Sequence, residues 1–337
     1  MRAAVIRQKG VISVEEVPLP EPGPDEALLK VHYCGICGSD VRMFAEGFFP
    51  QGLVIGHEFC GHIHALGGKS DEWNIGDRVT VMPAMSCGSC TYCRQGQRHH
   101  CRDSKILGVN EGFNGAFGEY VKIKTSTLYR LPDTVTDVEA ANVEPCAVSL
   151  RAVRRSGIAL GDVVAIFGAG SIGLFVLQCA RLAGAGSIYV AEPARGRAEV
   201  AERLGADRIL DPANPDFTGD PSGSSGQGVD IAFVCTAAPQ ALEQAVQSTR
   251  CQGKVVLVGG GLSAQVVPEY WMWKEIEVKG SFAYLEEFGL ALDLFARGEV
   301  TVDGLISETV SLEELQGMML ELAHPSGQIK VLVQPDR

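Results

Sequence analysis

The sequence predicts an α/β protein in two parts, an irregular β domain followed by a doubly wound parallel sheet. Three observations carry this. The chain has 337 residues, and at about 150 residues per domain that length suggests two domains. Short β-type runs broken by Gly, Pro and Asp fill the first part, to about Arg130. From Val163 onward strand-like and helix-like runs alternate, the pattern of a parallel sheet covered on both faces.

Taken in order, AAVI, ALLKVHYCG, FCGHIHALG, DRVTVMP and GEYVKI read as the strands of the β domain. Between Val138 and Arg155 the pattern turns helical and is stopped by Gly157. VVAIFGAG, SIYVAEP, ADRILDP, VDIAFVCTA, GKVVLVGG and EIEVKGSF follow as strand-like runs. GLFVLQCARLAG, RGRAEVAERLG and ALEQAVQSTR are helical stretches between them. Residues 214–228, rich in Ser and Gly, read as a surface loop. A helix is expected near Glu286–Arg297, another near Leu312–Ala323, and a last strand at IKVLV.

Composition narrows the function classes. Hydrophobic residues at 46% and charged ones at 21% exclude an intrinsically disordered chain. A net charge of −12 argues against nucleic acid or an anionic membrane as partner. Residues 163–180 carry no charge, but three glycines and a serine inside them read as strand, turn and helix rather than a membrane span. Arg7 and Lys9 interrupt what would be the apolar core of a signal peptide, so a cytoplasmic protein is expected. In that reducing setting, clustered members of the 11 cysteines should be metal ligands before they are disulfides.

Cys87, Cys90, Cys93 and Cys101 form such a cluster, in CGSCTYCRQGQRHHC. Four thiolates on one loop suit a closed, structural zinc site; an iron–sulfur reading uses similar spacing. His99 and His100 are expected to be solvated neighbours. Cys37, His57, Glu58 and Glu144 form a dispersed second set, able to give a metal three protein ligands and an open position. Cys34 and Cys37 also form a CxxC, but without the βαβ unit that a thioredoxin-type pair wants beside it.

Gly168, Gly170 and Gly173 make GxGxxG between a strand and a helix, the phosphate-binding turn of a dinucleotide site. Glu192 ends the next strand, where a carboxylate accepts bonds from a ribose and repels a 2′-phosphate. NAD is therefore expected over NADP, with Arg195 and Arg197 nearby as the opposing signal.

CGICGSD, GHEFCG, the four-cysteine lobe, GAFGEY, VEPCAV, FGAGSIG and VKGSFAY, in this order over nearly the whole chain, closely resemble the zinc-dependent medium-chain alcohol dehydrogenases, in their sorbitol, butanediol and threonine dehydrogenase branch. The resemblance implies a GroES-like β catalytic domain over residues 1–150 with its lobe at about 86–102. A Rossmann domain over 151–283 and a segment 284–337 returning to the catalytic domain complete it. It implies Cys37, His57 and Glu58 as catalytic zinc ligands, with Glu144 binding directly or through water, and Ser39 as the hydroxyl that takes the substrate proton. Ile172, Glu192 and Arg197 then meet the adenosine half of NAD; Val258, Gly259, Ser281 and Phe282 lie near the nicotinamide. Two zinc ions per chain and a homodimer or homotetramer are further implications.

Many members of the family place a histidine where this chain has Arg42, and a guanidinium cannot act as a base at neutral pH. The expected activity is oxidation of a secondary alcohol: a small polyol, vicinal diol or sugar derivative. The alternatives are a threonine-type amino alcohol and a metal-stabilised NAD-binding module without turnover. Loops around Phe44, Phe48, Phe113 and Tyr284 are expected to build the substrate pocket.

Overall fold

The computed structural model describes residues 1–213, 228–324 and 327–337. The expected loop at 214–228 lies outside them except for Gly228. The chain divides into two compact units, one of Met1–Glu144, Phe288–Ser326 and Lys330–Arg337, the other of Pro145–Glu287 and Gly327–Ile329.

In the first unit a seven-stranded sheet runs Ile306–Val310, Lys330–Val333, Glu26–Gly35, Glu58–Leu66, Arg78–Val81 and Leu128–Arg130, with Tyr120–Lys124 also paired to Glu26–Gly35. The strand Glu26–Gly35 is the hub. It pairs antiparallel with strand Glu58–Leu66 so that Gly35 faces Glu58, and with the C-terminal strand so that Gly35 faces Leu332. Leu29, Val31, Ile63, Phe59, Phe117 and Val333 are buried in the core beneath it. Alternation along these strands puts one side chain of every two into this apolar layer, which sets the register.

The second unit is a parallel six-stranded sheet, ordered Arg208–Leu210, Ser187–Ala191, Val163–Phe167, Val229–Val234, Thr249–Leu257 and Glu277–Gly280. In chain order this is 3-2-1-4-5-6, the order of dinucleotide-binding sheets. Ile166, Val190, Phe233 and Val256 are buried, as strands covered on both faces require. The uncharged run 163–180 is strand Val163–Phe167 followed by helix Ser171–Leu182. Among the described residues no helix is long and apolar enough to cross a membrane.

His62 corrects an expectation. The period-two spacing of His62 and His64 predicts two solvated side chains on one face. His64 is exposed against the Tyr120 ring, but His62 is half-buried, with Nδ1 at 2.7 Å from His32 Nε2. His32 Nδ1 in turn lies 2.7 Å from Asp137, which Arg78 binds from the other side at 2.6 Å. The hydrogen bond with His32, opposed by burial and helped by Arg78, holds the Asp137 carboxyl at about 2.

A depressed carboxyl value stabilises the fold above the ordinary value near 3.8, and that contribution is lost as pH falls toward 2. After solvent screening at this half-exposed group we expect about 1 kcal/mol. Asp137→Asn should therefore lower Tm at pH 7 by roughly 2–4 °C, and the difference from wild type should shrink between pH 4 and pH 2. A constant difference across that range would detach the effect from the carboxylate charge.

Candidate active site

The N-terminal strand hub delivers Cys37 to the start of helix Gly38–Glu46, where it is the N-cap. Its Sγ accepts from Ser39 N at 3.4 Å and from Ser39 Oγ at 3.1 Å, while Asp40 Oδ2 accepts from Cys37 N at 3.2 Å. This reciprocal cap ties the thiol to the first helical turn. Asp40 has no exposed surface, and its Oδ1 lies 3.2 Å from His57 Nδ1. A carboxylate behind one ring nitrogen leaves the other to serve as ligand, the usual arrangement around metal-bound histidines. Burial opposes charge on His57, but Asp40 and then Cys37 outweigh it and raise the imidazole well above its ordinary value.

Glu58 opens the next strand and is buried; a ligand atom from each of Cys37, His57 and Glu58 lies within 4.8 Å of the others. Glu144, in the first turn of helix Val143–Ser156, is not one of the three atoms so gathered. Its charge acts on Lys330, which sequence reasoning missed. Lys330 Nζ lies 2.6 Å from Glu58 Oε2 with both side chains 2% exposed. Asp40 was missed too, although its place three residues after an N-cap is a readable capping signal.

The second cysteine group is local. The Sγ atoms of Cys90 and Cys93 are 3.5 Å apart, those of Cys87 and Cys93 4.0 Å, and those of Cys90 and Cys101 3.9 Å. With Zn–S near 2.3 Å, the edge of a ZnS4 tetrahedron is about 3.8 Å. The sulfurs therefore fit one zinc ion, whereas a polynuclear iron–sulfur cluster holds its thiolates farther apart. Backbone N–H groups of Ser89 and Cys90 bring the Cys87 thiol down to about 6, toward the thiolate that binds metal. The His99 and His100 rings lie against each other at a tilt of 44°, with centroids 3.9 Å apart.

In the second unit the expected cofactor residues lie at the carboxyl ends of the parallel strands, where such sheets bind ligands. Gly168, with φ 98°, makes the turn after strand Val163–Phe167, and a Cβ on Gly173 would come within 1.9 Å of Gly168 O. A Cβ on Gly170 would meet nothing within 4 Å, so its backbone borders open space. Ile172 follows in the first turn of the helix.

Glu192 is buried, with Oε2 accepting from Ala169 N at 2.8 Å and Oε1 from Ala194 N at 2.9 Å. Each oxygen keeps a second lone pair for a ribose hydroxyl. Arg197 donates to the Gln328 carbonyl at 2.5 Å, and Arg195, almost fully exposed, pairs with Glu199 at 2.8 Å. Val258 and Gly259 follow strand Thr249–Leu257; Ser281 and Phe282 follow strand Glu277–Gly280. Ser281 Oγ is buried without a hydrogen-bond partner, as a residue that meets a polar cofactor would be. Of the aromatic residues around which the pocket loops are expected, Phe44 itself belongs to the apolar core, at 2% exposure.

The comparisons with known proteins agree with this geometry. Residues 23–133 match the alcohol dehydrogenase GroES-like domain and residues 171–297 the zinc-binding dehydrogenase domain. The chain is 33% identical to the sorbitol dehydrogenase of Bacillus subtilis, over 100% of this chain and 98% of that one. It is 35% identical to the (R,R)-butanediol dehydrogenase of the same organism, over 100% of both. A crystal structure from Sinorhizobium meliloti, described as a zinc-binding dehydrogenase bound to NADP, superposes with a TM-score of 0.92 at 34% identity over 99% of each chain. With both halves matched and end-to-end identity to two dehydrogenases, the chain belongs to the zinc-dependent medium-chain alcohol dehydrogenase family, in its sorbitol and butanediol dehydrogenase-like branch.

Proposed function

We propose that this protein is a zinc- and NAD-dependent dehydrogenase that oxidises a secondary alcohol in a small polyol, vicinal diol or sugar derivative. The observation that carries the reading is the convergence of Cys37, His57 and Glu58 with Asp40 set behind the imidazole. The sorbitol and butanediol dehydrogenases it resembles support the substrate class. Cys37, His57 and Glu58 would hold the catalytic zinc, with Glu144 joining directly or through water, and the four lobe cysteines would hold a second ion.

When bound, zinc supplies Lewis acidity toward the alcohol oxygen and the nicotinamide takes up the hydride. The chain's own residues do the rest. The Asp40 carboxylate, 3.2 Å behind His57 Nδ1, favours a proton on that nitrogen and leaves Nε2 for a ligand. Ser39 Oγ, 3.1 Å from Cys37 Sγ, stands beside the ligand set and passes the alcohol proton outward. Arg42 cannot end that relay as a base; its guanidinium is already 3.6 Å from Glu46.

A panel of polyols, diols and L-threonine, followed by NADH absorbance, tests the reading. Polyols or vicinal diols should be the best substrates; turnover of L-threonine alone would move the protein to the amino-alcohol class. Absence of turnover with every alcohol would leave a binding module.

Coenzyme choice follows from Glu192. Its negative charge, pinned by two backbone N–H groups, would repel a 2′-phosphate. Wild type should prefer NAD, and Glu192→Ser should shift the kcat/KM ratio toward NADP by about tenfold or more, with the exposed Arg195 exchanging Glu199 for the phosphate. Equal use of both coenzymes by wild type would show that Glu192 does not face the ribose.

A further inference from the structure

Lys330 and Glu58 come from opposite ends of the chain, 272 residues apart, and meet in the interior of the first unit. The ammonium donates to Glu58 Oε2 at 2.6 Å and to the Ile36 carbonyl at 3.1 Å. A Cβ on Gly35 would come within 2.3 Å of the same Oε2, so only glycine leaves the carboxylate room to reach the lysine. Both side chains are only 2% exposed, so the pair is closed off from solvent. One carboxylate thus lies between a fixed cation and the place where the Cys37–His57–Glu58 ligand atoms converge.

A cation that holds one oxygen of a carboxylate withdraws charge from the other and repels a dication placed there. We propose that Lys330 is a positioning residue that holds Glu58 back as a weak, displaceable ligand, so that the zinc centre keeps a position open for substrate. This rests on the zinc reading given above. A lysine that merely staples the C-terminal strand to its neighbour would act in the opposite sense, since its loss would loosen the ligand shell and speed zinc release.

The sign of the change in zinc release separates the two. Purified holoenzyme is mixed with excess of a zinc-binding dye, and the catalytic ion is taken as the release phase that is absent from Cys37→Ser. Lys330→Gln keeps donors for Glu58 and the Ile36 carbonyl but removes the charge, and Lys330→Met removes both. Either charge-removing variant should release the Cys37-dependent zinc about tenfold more slowly or slower still. Lys330→Arg should stay within about twofold of wild type. In a Glu58→Gln background Lys330→Gln should change the rate by less than about twofold, because the coupling partner is gone. Unchanged or faster release in the charge-removing variants would overturn the proposal. A wild-type protein with no Cys37-dependent zinc would instead overturn the zinc reading itself.

Discussion

His57→Ala is expected to lower kcat/KM by about a thousandfold or more while NADH still binds with an affinity within about twofold of wild type. Several kcal/mol of transition-state stabilisation comes from a Lewis acid at a reacting oxygen, and about 4 kcal/mol is a thousandfold. Loss of one of three protein ligands should empty the site or misplace the ion. The glycine turn and Glu192 belong to the other unit, so the cofactor surface is built without His57. Circular dichroism and NADH fluorescence titration check folding and binding; a folded variant that no longer binds NADH would contradict this separation of roles.

Cys101→Ser should produce the largest loss of stability. Its sulfur lies 3.9 Å from Cys90 Sγ and accepts from Cys87 N at 3.3 Å, closing a lobe whose base is otherwise held by the two-residue pairing of Ala84–Met85 with Lys105–Ile106. Structural zinc sites contribute their binding free energy to folding, and loss of one ligand should cost several kcal/mol, or about 10 °C in Tm. Metal analysis should fall from two zinc ions per chain to one, with residual activity in proportion to the folded fraction. Full thermal stability together with an unchanged metal content would show that the lobe does not hold zinc.

Where chemistry depends on neighbours in sequence, the residues could be read directly. The four lobe cysteines lie within fifteen positions, and the glycine turn needs only the strand before it and the helix after it. Alternating strands and helices specify a parallel sheet because each strand buried on both faces must be apolar throughout. The dispersed ligand set was a weak signal from residue types alone and gained force from the family resemblance, since nothing local links Cys37 to His57 or to Glu144.

Three features were decided by the tertiary structure alone. His62 loses its expected solvated place to a hydrogen-bonded line through His32, Asp137 and Arg78, drawn from three strands and a helix start. Phe44 goes to the core because helix packing, not its nearness to Cys37, decides which face is buried. Lys330 reads in sequence as an ordinary strand lysine, and only the pairing of the last strand with Glu26–Gly35 brings its ammonium to Glu58. The physical reason is common to all three. A motif records contacts whose geometry a few consecutive torsions determine, whereas pairings across tens or hundreds of residues exist only after the sheet has closed and its register has chosen which side chains share a face.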